Sequence, residues 1–186
     1  TRTFSFTSAA PTDDVRLDER AGSSNYGGAN DLSIRVSSNK LQYESNSPGF
    51  HYNRIPVLQF DLGTNPDWNI ISVDTCTFSW VGQHFEQRSF RFYRLTEAFD
   101  EMTATWVTRP DRDTSAWVDV TPPQQDWSRY SVDLSSLLLN NGNSSTFGIQ
   151  YELGWASIIA WDSEHSYSKE SSSWSWPRLT AEFTAE

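Results

Sequence analysis

Three kinds of side chain in this sequence can do chemistry: a few histidines, several paired acids, and many aromatic rings interleaved with arginine. His51, His84 and His165 are the only histidines. No serine sits in a Gly-x-Ser-x-Gly elbow, and neither His-x-x-x-His nor His-Glu-x-x-His occurs. Acids stand side by side at Asp13/Asp14, Asp18/Glu19 and Asp100/Glu101. Two carboxyls hydrolyse a glycoside only when they flank the same bond, and neighbours on a strand point to opposite faces. A polysaccharide lyase needs a base and a charge neutraliser, often Tyr, His and Arg; those types are present without a motif. No catalytic residue is assigned, and the chain is read as a non-enzyme.

The aromatic and basic residues suit binding better. A sugar ring offers a face of C–H groups, which packs on an aromatic ring, and an edge of hydroxyls, which Arg, Asn, Gln and acids can bond. Lys40, Tyr43, His51, Tyr52 and Arg54 fall together in one polar and aromatic insertion. Arg35 and Gln59 take outward positions on the strands that flank it, and Arg91 lies between Arg88 and Arg94 on another strand. Trp155, Trp161, Trp174 and Trp176 form a second group, in which Trp174 and Trp176 share one face of an extended segment. That group reads as a stacking platform or equally as packing over the core or against a neighbouring subunit. The candidate sugar contacts are therefore Arg35, Lys40, Tyr43, His51, Tyr52, Arg54, Gln59, Arg91 and Trp161; the bland alternative for each is a solvated strand face.

A structural calcium is a second expectation. Calcium takes six to eight oxygen ligands, carboxylates prominent among them. Asp14, Asn30, Asp31 and Glu164 are candidate donors near turns, where they could instead cap the turn or face water. Cys76 is the only cysteine, which excludes an intrachain disulfide and Cys-based metal sites. It alternates with polar neighbours, as a buried strand thiol would.

Composition narrows the partners. The formal charge is −10, with Lys40 and Lys169 the only lysines, so the surface repels phosphate backbones and nucleic acid is not expected. No apolar run is long enough to cross a bilayer, so no membrane insertion is expected. Nine tryptophans exceed what one core usually takes, which puts some at the surface. Ser, Thr and Asn fill the polar positions and suit strands and turns. The chain opens abruptly inside an alternating segment, as a processed secreted chain or an excised module would.

These residues need strands to position them. Phe4 and Phe6 alternate in Thr1–Ser8, an edge pattern that could pair within its own sandwich or reach into a neighbouring subunit. Val15 and Leu17 mark a second strand, and Leu32, Ile34 and Val36 a third. Leu58, Phe60 and Leu62 share a face, with Pro56 at a strand entrance or an edge. Residues 71–81 alternate as a central strand, whereas Ser89–Leu95 is apolar at both parities and its faces are unassignable. Further strands are expected near Trp117–Val120, Tyr130–Leu134, Phe147–Tyr151, Ser157–Trp161 and Pro177–Phe183, and Ser135 is placed to cap a helical turn. Leu95–Pro110 is a long crossing connection, with Phe99 and Trp106 as apolar anchors and Asp100, Glu101 and Thr103 able to cap a short turn between them. The expected fold is one domain over residues 1–186: all-β, an antiparallel two-sheet β-sandwich (jelly-roll) with one or two short helical turns.

Several of these stretches, in this order, resemble the DNRLRE-type, or disaggregatase-related, domain family. The matching positions are Asp14 with Asn25-Tyr26-Gly27, then Arg54 with Phe60-Asp61-Leu62, then the Leu95–Pro110 segment, then Trp161-Asp162-Ser163-Glu164, then Pro177-Arg178-Leu179. One departure is Asp162-Ser163 with His165, where the family often has Ser-Arg-Glu. The resemblance spans roughly Asp14 to Phe183. It implies a carbohydrate-binding module, with alginate as the precedent, attached in its parent protein to a catalytic domain and working outside the cell on an alginate-like or other plant or algal glycan. The competing expectation is a structural subunit of an extracellular filament or surface layer, joined to identical subunits by N-terminal strand exchange.

Overall fold

The computed structural model describes residues 1–8, 11–18, 23–29, 31–35, 54–60, 70–84, 90–121, 125–137, 149–155, 163–168, 170–171 and 174–186. Within them the chain forms β1 (Arg2–Ser8), β2 (Asp13–Asp18), β3 (Asp31–Arg35), β4 (Arg54–Phe60), β5 (Ile70–His84) and β6 (Phe90–Leu95). There follow β7 (Arg112–Val120), β8 (Gln125–Asp133), a 3-10 turn (Ser135–Leu137), β9 (Ile149–Trp155), β10 (Ser163–Tyr167) and β11 (Arg178–Ala185). All the ladders are antiparallel.

Two layers face each other. One runs β1–β11–β5–β8, and the other runs β2–β4–β9–β6–β7. β10 and β3 join them along one side, through Ser166↔Gly82 and Arg35↔Arg54. The long β5 holds the first layer together, because β11 pairs with it over Ile70–Ser79 and β8 over Thr77–His84. It is the central strand that its alternation predicts. Cys76, Phe78 and Trp80 point inward and are buried, while Thr75 before them and Thr77 among them are exposed. Cys76 is the expected buried strand thiol.

The main core lies between the layers. Leu58 and Phe60 of β4 and Phe92 of β6 meet Phe78 and Trp80 of β5, Val132 of β8 and Leu179 of β11. Phe92 sits edge-on to Phe78 at 5.7 Å. A second, smaller core covers the outer side of the β2–β4 pair: Val15, Leu17, Ile55 and Val57 pack under Leu95, Ala104 and Trp106. This explains why β6 is apolar at both parities. Phe92 serves the core between the layers, and Leu95 serves the core outside them.

Pro56 pairs with Arg16, and the β4–β9 ladder begins one residue later at Val57. Its missing N–H therefore falls where that ladder starts. β7 is a nine-residue strand, longer than the Trp117–Val120 segment expected from sequence. β1 completes its ladder within its own chain, from Arg2↔Ala185 to Ser8↔Leu179, and Phe4 stacks on Phe183. The two chain ends meet there, where the Thr1 hydroxyl donates to the Glu186 carboxylate at 3.0 Å. The expected strand at Ser157–Trp161 lies outside the described residues.

Candidate functional site

The connection from Leu95 to Pro110 is fixed by its own polar groups. The Asp100 side chain accepts from the Met102 N–H at 2.8 Å, and its carbonyl accepts from Thr103 and Ala104. This is one capped turn, as the sequence predicts. Trp106 is fully buried beneath it, with the Arg109 guanidinium 4.8 Å above the ring centroid. The Asn25-Tyr26-Gly27 loop clamps the same turn. The Asn25 side-chain amide donates to the carbonyls of Glu101 and Ala104, the latter at 2.7 Å, and its oxygen accepts from the Gly27 N–H. Gln59, an expected sugar contact, joins the clamp instead. Its amide donates to Asp13 at 3.2 Å and accepts from the Phe99 N–H at 3.3 Å.

An acid cluster forms beside this clamp. Asp14, Glu101 and Glu170 each offer a carboxylate oxygen, and these atoms lie within 4.8 Å of one another. Asp14 is buried and the other two are half-buried. Glu101 also accepts from the Asp14 N–H at 3.0 Å. Two ligands on opposite sides of one calcium are about 4.8 Å apart, so oxygens this close can share an ion. Three hard oxygen donors suit calcium and not a thiophilic metal. Asp14 is thus one of the four donors expected from sequence, whereas Glu101 and Glu170 were not among them. The signal for Glu170 was the run Ser168-Lys169-Glu170, a closer fit to Ser-Arg-Glu than the stretch around Glu164. Asp31 and Glu164 lie on β3 and β10 with side chains outside what is described, and Asn30 lies outside the described residues.

The outer side of β6 and the edge strand β7 presents a different surface. Trp117 is 48% exposed, and the Arg91 guanidinium lies 4.6 Å from its ring centroid. Arg91 is itself locked to Asp119, its Nε on one carboxylate oxygen at 2.8 Å and its Nη2 on the other at 2.9 Å. That hydrogen bond is the main cause holding the guanidinium pKa above its ordinary value. Beside it the Arg112 guanidinium covers Tyr93 at 4.3 Å, while Arg94, on the same side of β6 as Phe92, bonds Asp113 at 2.8 Å. Arg91 is matched by a carboxylate, so this pair adds no net charge beside Trp117. A rigid indole is thereby set among charged and hydroxyl groups that can bond a sugar's edge.

A third surface lies on the other layer, at the start of β8. Trp127 is 38% exposed and Trp174 is 59% exposed. Arg129, two residues after Trp127, donates to the carbonyls of Trp174 and Trp176 and to the Ser79 hydroxyl. Burial, then the like charge of Arg178, pulls the Arg129 guanidinium below its ordinary pKa. Trp176 is half-buried, its indole N–H bonded to the Ser171 carbonyl at 3.0 Å, so of the Ser171–Trp176 pair only Trp174 stands out.

Of the other expected sugar contacts, Lys40, Tyr43, His51, Tyr52 and Trp161 lie outside the described residues. Arg35 and Arg54 are cross-strand neighbours joining β3 to β4, with side chains outside what is described. Arg91 is described and sits at the Trp117 surface. Trp117 and Trp127 were missed, because sequence does not show which strand edges stay uncovered.

Exposed indoles on the outer faces of a β-sandwich offer flat apolar surfaces on which a sugar ring can stack. The chain belongs to carbohydrate-binding module family 96, whose model matches residues 5–175. This agrees with the carbohydrate-binding side of the resemblance read from sequence, although it does not carry the DNRLRE name. No curated protein matches the chain.

Proposed function

We propose that this domain is a non-catalytic module that binds an extracellular polysaccharide, an alginate-like or other plant or algal glycan, and holds it near a catalytic domain of its parent protein. The observation that carries this reading is the Trp117 platform. Its ring is backed by Arg91, which is gripped by both oxygens of Asp119. A side chain held by two interlocking contacts loses little freedom when a sugar stacks on it, and such preorganisation favours binding. The ring supplies the apolar face, and the neighbouring Asp119 and Ser115 supply hydrogen-bonding groups for the hydroxyl edge.

The calcium expected from sequence belongs to the same proposal. We assign it to Asp14, Glu101 and Glu170, where it would fasten β2, the Leu95–Pro110 connection and the segment after β10 to one another. Its role is structural and supplies no reaction step. The support is the donor set and its spacing.

Affinity electrophoresis in gels containing alginate, cellulose, xylan or agarose tests the binding reading. Retardation on at least one gel, reduced by Trp117→Ala, is expected. Unchanged migration on all four removes the proposal. Release of new reducing ends or unsaturated products from any of them would show instead that the domain is an enzyme.

A further inference from the structure

The corner around Arg129 differs in kind from the Trp117 platform. On β6 and β7 the cations Arg91 and Arg94 each hold an aspartate. Arg129 is fixed instead by neutral acceptors, the Ser79 hydroxyl and the carbonyls of Trp174 and Trp176. Those bonds use three of the five N–H groups of the guanidinium, so Nε–H and one Nη2–H remain. Nε and Nη2 are the pair of nitrogens with which Arg91 grips Asp119. Among the described residues no carboxylate bonds Arg129, and Arg178 adds a second positive charge nearby. In a chain of net charge −10, two arginines thus stand near one another here.

Two further features belong to the corner. Trp127 and Trp174 are among the most exposed large apolar side chains described, and Arg129 lies two residues from the first and bonds the backbone of the second. Trp127 also has φ at 38°, in the left-handed region that a bulky side chain rarely adopts. Such strain persists only where the surroundings hold it, and it gathers at ligand clamps and other functional positions. A fixed cation with open donors beside two exposed indoles matches a sugar that has both an apolar ring face and a negative group.

We propose that this corner is a second carbohydrate subsite, and that it takes a pyranose bearing an anionic substituent, a carboxylate or a sulfate, whose ring packs on the indoles while the anion meets Arg129. The inference rests on the reading of the domain as a carbohydrate-binding module. It adds that the two layers carry unlike sites. The Trp117 platform, with Arg91 matched by Asp119, stacks a ring whatever its charge, and the Arg129 corner needs an anionic one. One domain then engages two segments of polymer on opposite faces.

Titration calorimetry with three defined hexasaccharides tests this: an alginate-derived uronate, a sulfated agaran fragment and an uncharged xylo-oligosaccharide. Trp174→Ala removes an exposed ring and leaves the backbone carbonyl that Arg129 uses, and Arg129→Gln keeps donors while removing charge. Both should weaken the anionic ligands by about tenfold or more and leave the uncharged one unchanged. Arg129→Gln should also flatten the salt dependence of that binding. Trp117→Ala should weaken all three ligands alike. Weakening for the uronate alone identifies a carboxylate site, and for the sulfated fragment alone a sulfate site. Anionic affinities that both variants leave intact, with thermal unfolding confirming that they fold, overturn the second subsite while the module reading stands. A wild-type domain that binds none of the three overturns both.

Discussion

Gly27 packs directly against the backbone of Glu101. A Cβ placed on Gly27 would overlap the Glu101 carbonyl oxygen and stand 2.8 Å from its carbon. The turn that carries Glu101 therefore closes only over a glycine, and Asn25, two residues earlier, bonds the same carbonyl. Gly27→Ala should destabilise the domain by about 1–3 kcal/mol through overpacking. At this chain length that lowers Tm by roughly 2–12 °C, which differential scanning calorimetry would register. A Tm equal to wild type means the turn shifts freely and is no clamp.

Two tryptophans eleven positions apart should behave in opposite ways. Trp106 is fully buried and Trp117 is 48% exposed. Trp106→Ala leaves a cavity and should cost about 3–5 kcal/mol of stability. Trp117→Ala should leave Tm within a few degrees of wild type and weaken glycan binding about tenfold, or about 1.4 kcal/mol. Thermal melts and affinity electrophoresis on the same two proteins separate the roles. A strongly destabilised Trp117→Ala would mean that its ring packs instead of binding.

Calcium should raise stability and a chelator should lower it. At a hundred times its dissociation constant, an ion that binds only the folded state adds about 2.7 kcal/mol, roughly 5–10 °C in Tm here. Glu170→Gln should remove the calcium-dependent part and keep the rest of the melt. Equal Tm in excess calcium and in excess chelator would show that Asp14, Glu101 and Glu170 hold no ion.

Acid should unfold the domain in part through Asp113 and Asp133. Side-chain and backbone hydrogen bonds from Ser115 hold the Asp113 carboxyl below its ordinary value of 3.8, and those from Ser135 do the same for Asp133. A depressed folded-state pKa means the unfolded chain binds the proton more readily. Stability from these groups is therefore complete above the ordinary value and is lost as pH falls through the lower folded one. Replacing both acids by asparagine should flatten the stability profile below about pH 4. Urea midpoints measured from pH 2 to 7 would show it, and identical profiles would dismiss these two carboxyls.

Much of the fold could be read from the residues because burial imposes a period of two. Cys76, Phe78 and Trp80 alternate with exposed threonines, and Val15 and Leu17 are both buried as expected. The signal fails where a strand touches apolar groups on both sides, as β6 does between Phe92 and Leu95. The site was less legible. Asp14 and Arg91 could be singled out as candidates because their types announce their chemistry. Glu101 and Glu170 come from stretches 69 residues apart in sequence, and only the folded chain shows that both meet Asp14. Gln59 reads as an outward strand residue, yet the Leu95–Pro110 connection folds over it and takes its amide. Trp106 could be read as an apolar anchor of that connection, whereas nothing in the letters shows that Trp117 and Trp127 stay exposed.

The bond between Thr1 and Glu186 has an architectural consequence. The first and last residues sit side by side on adjoining strands, so any polypeptide running on from either would share one doorway.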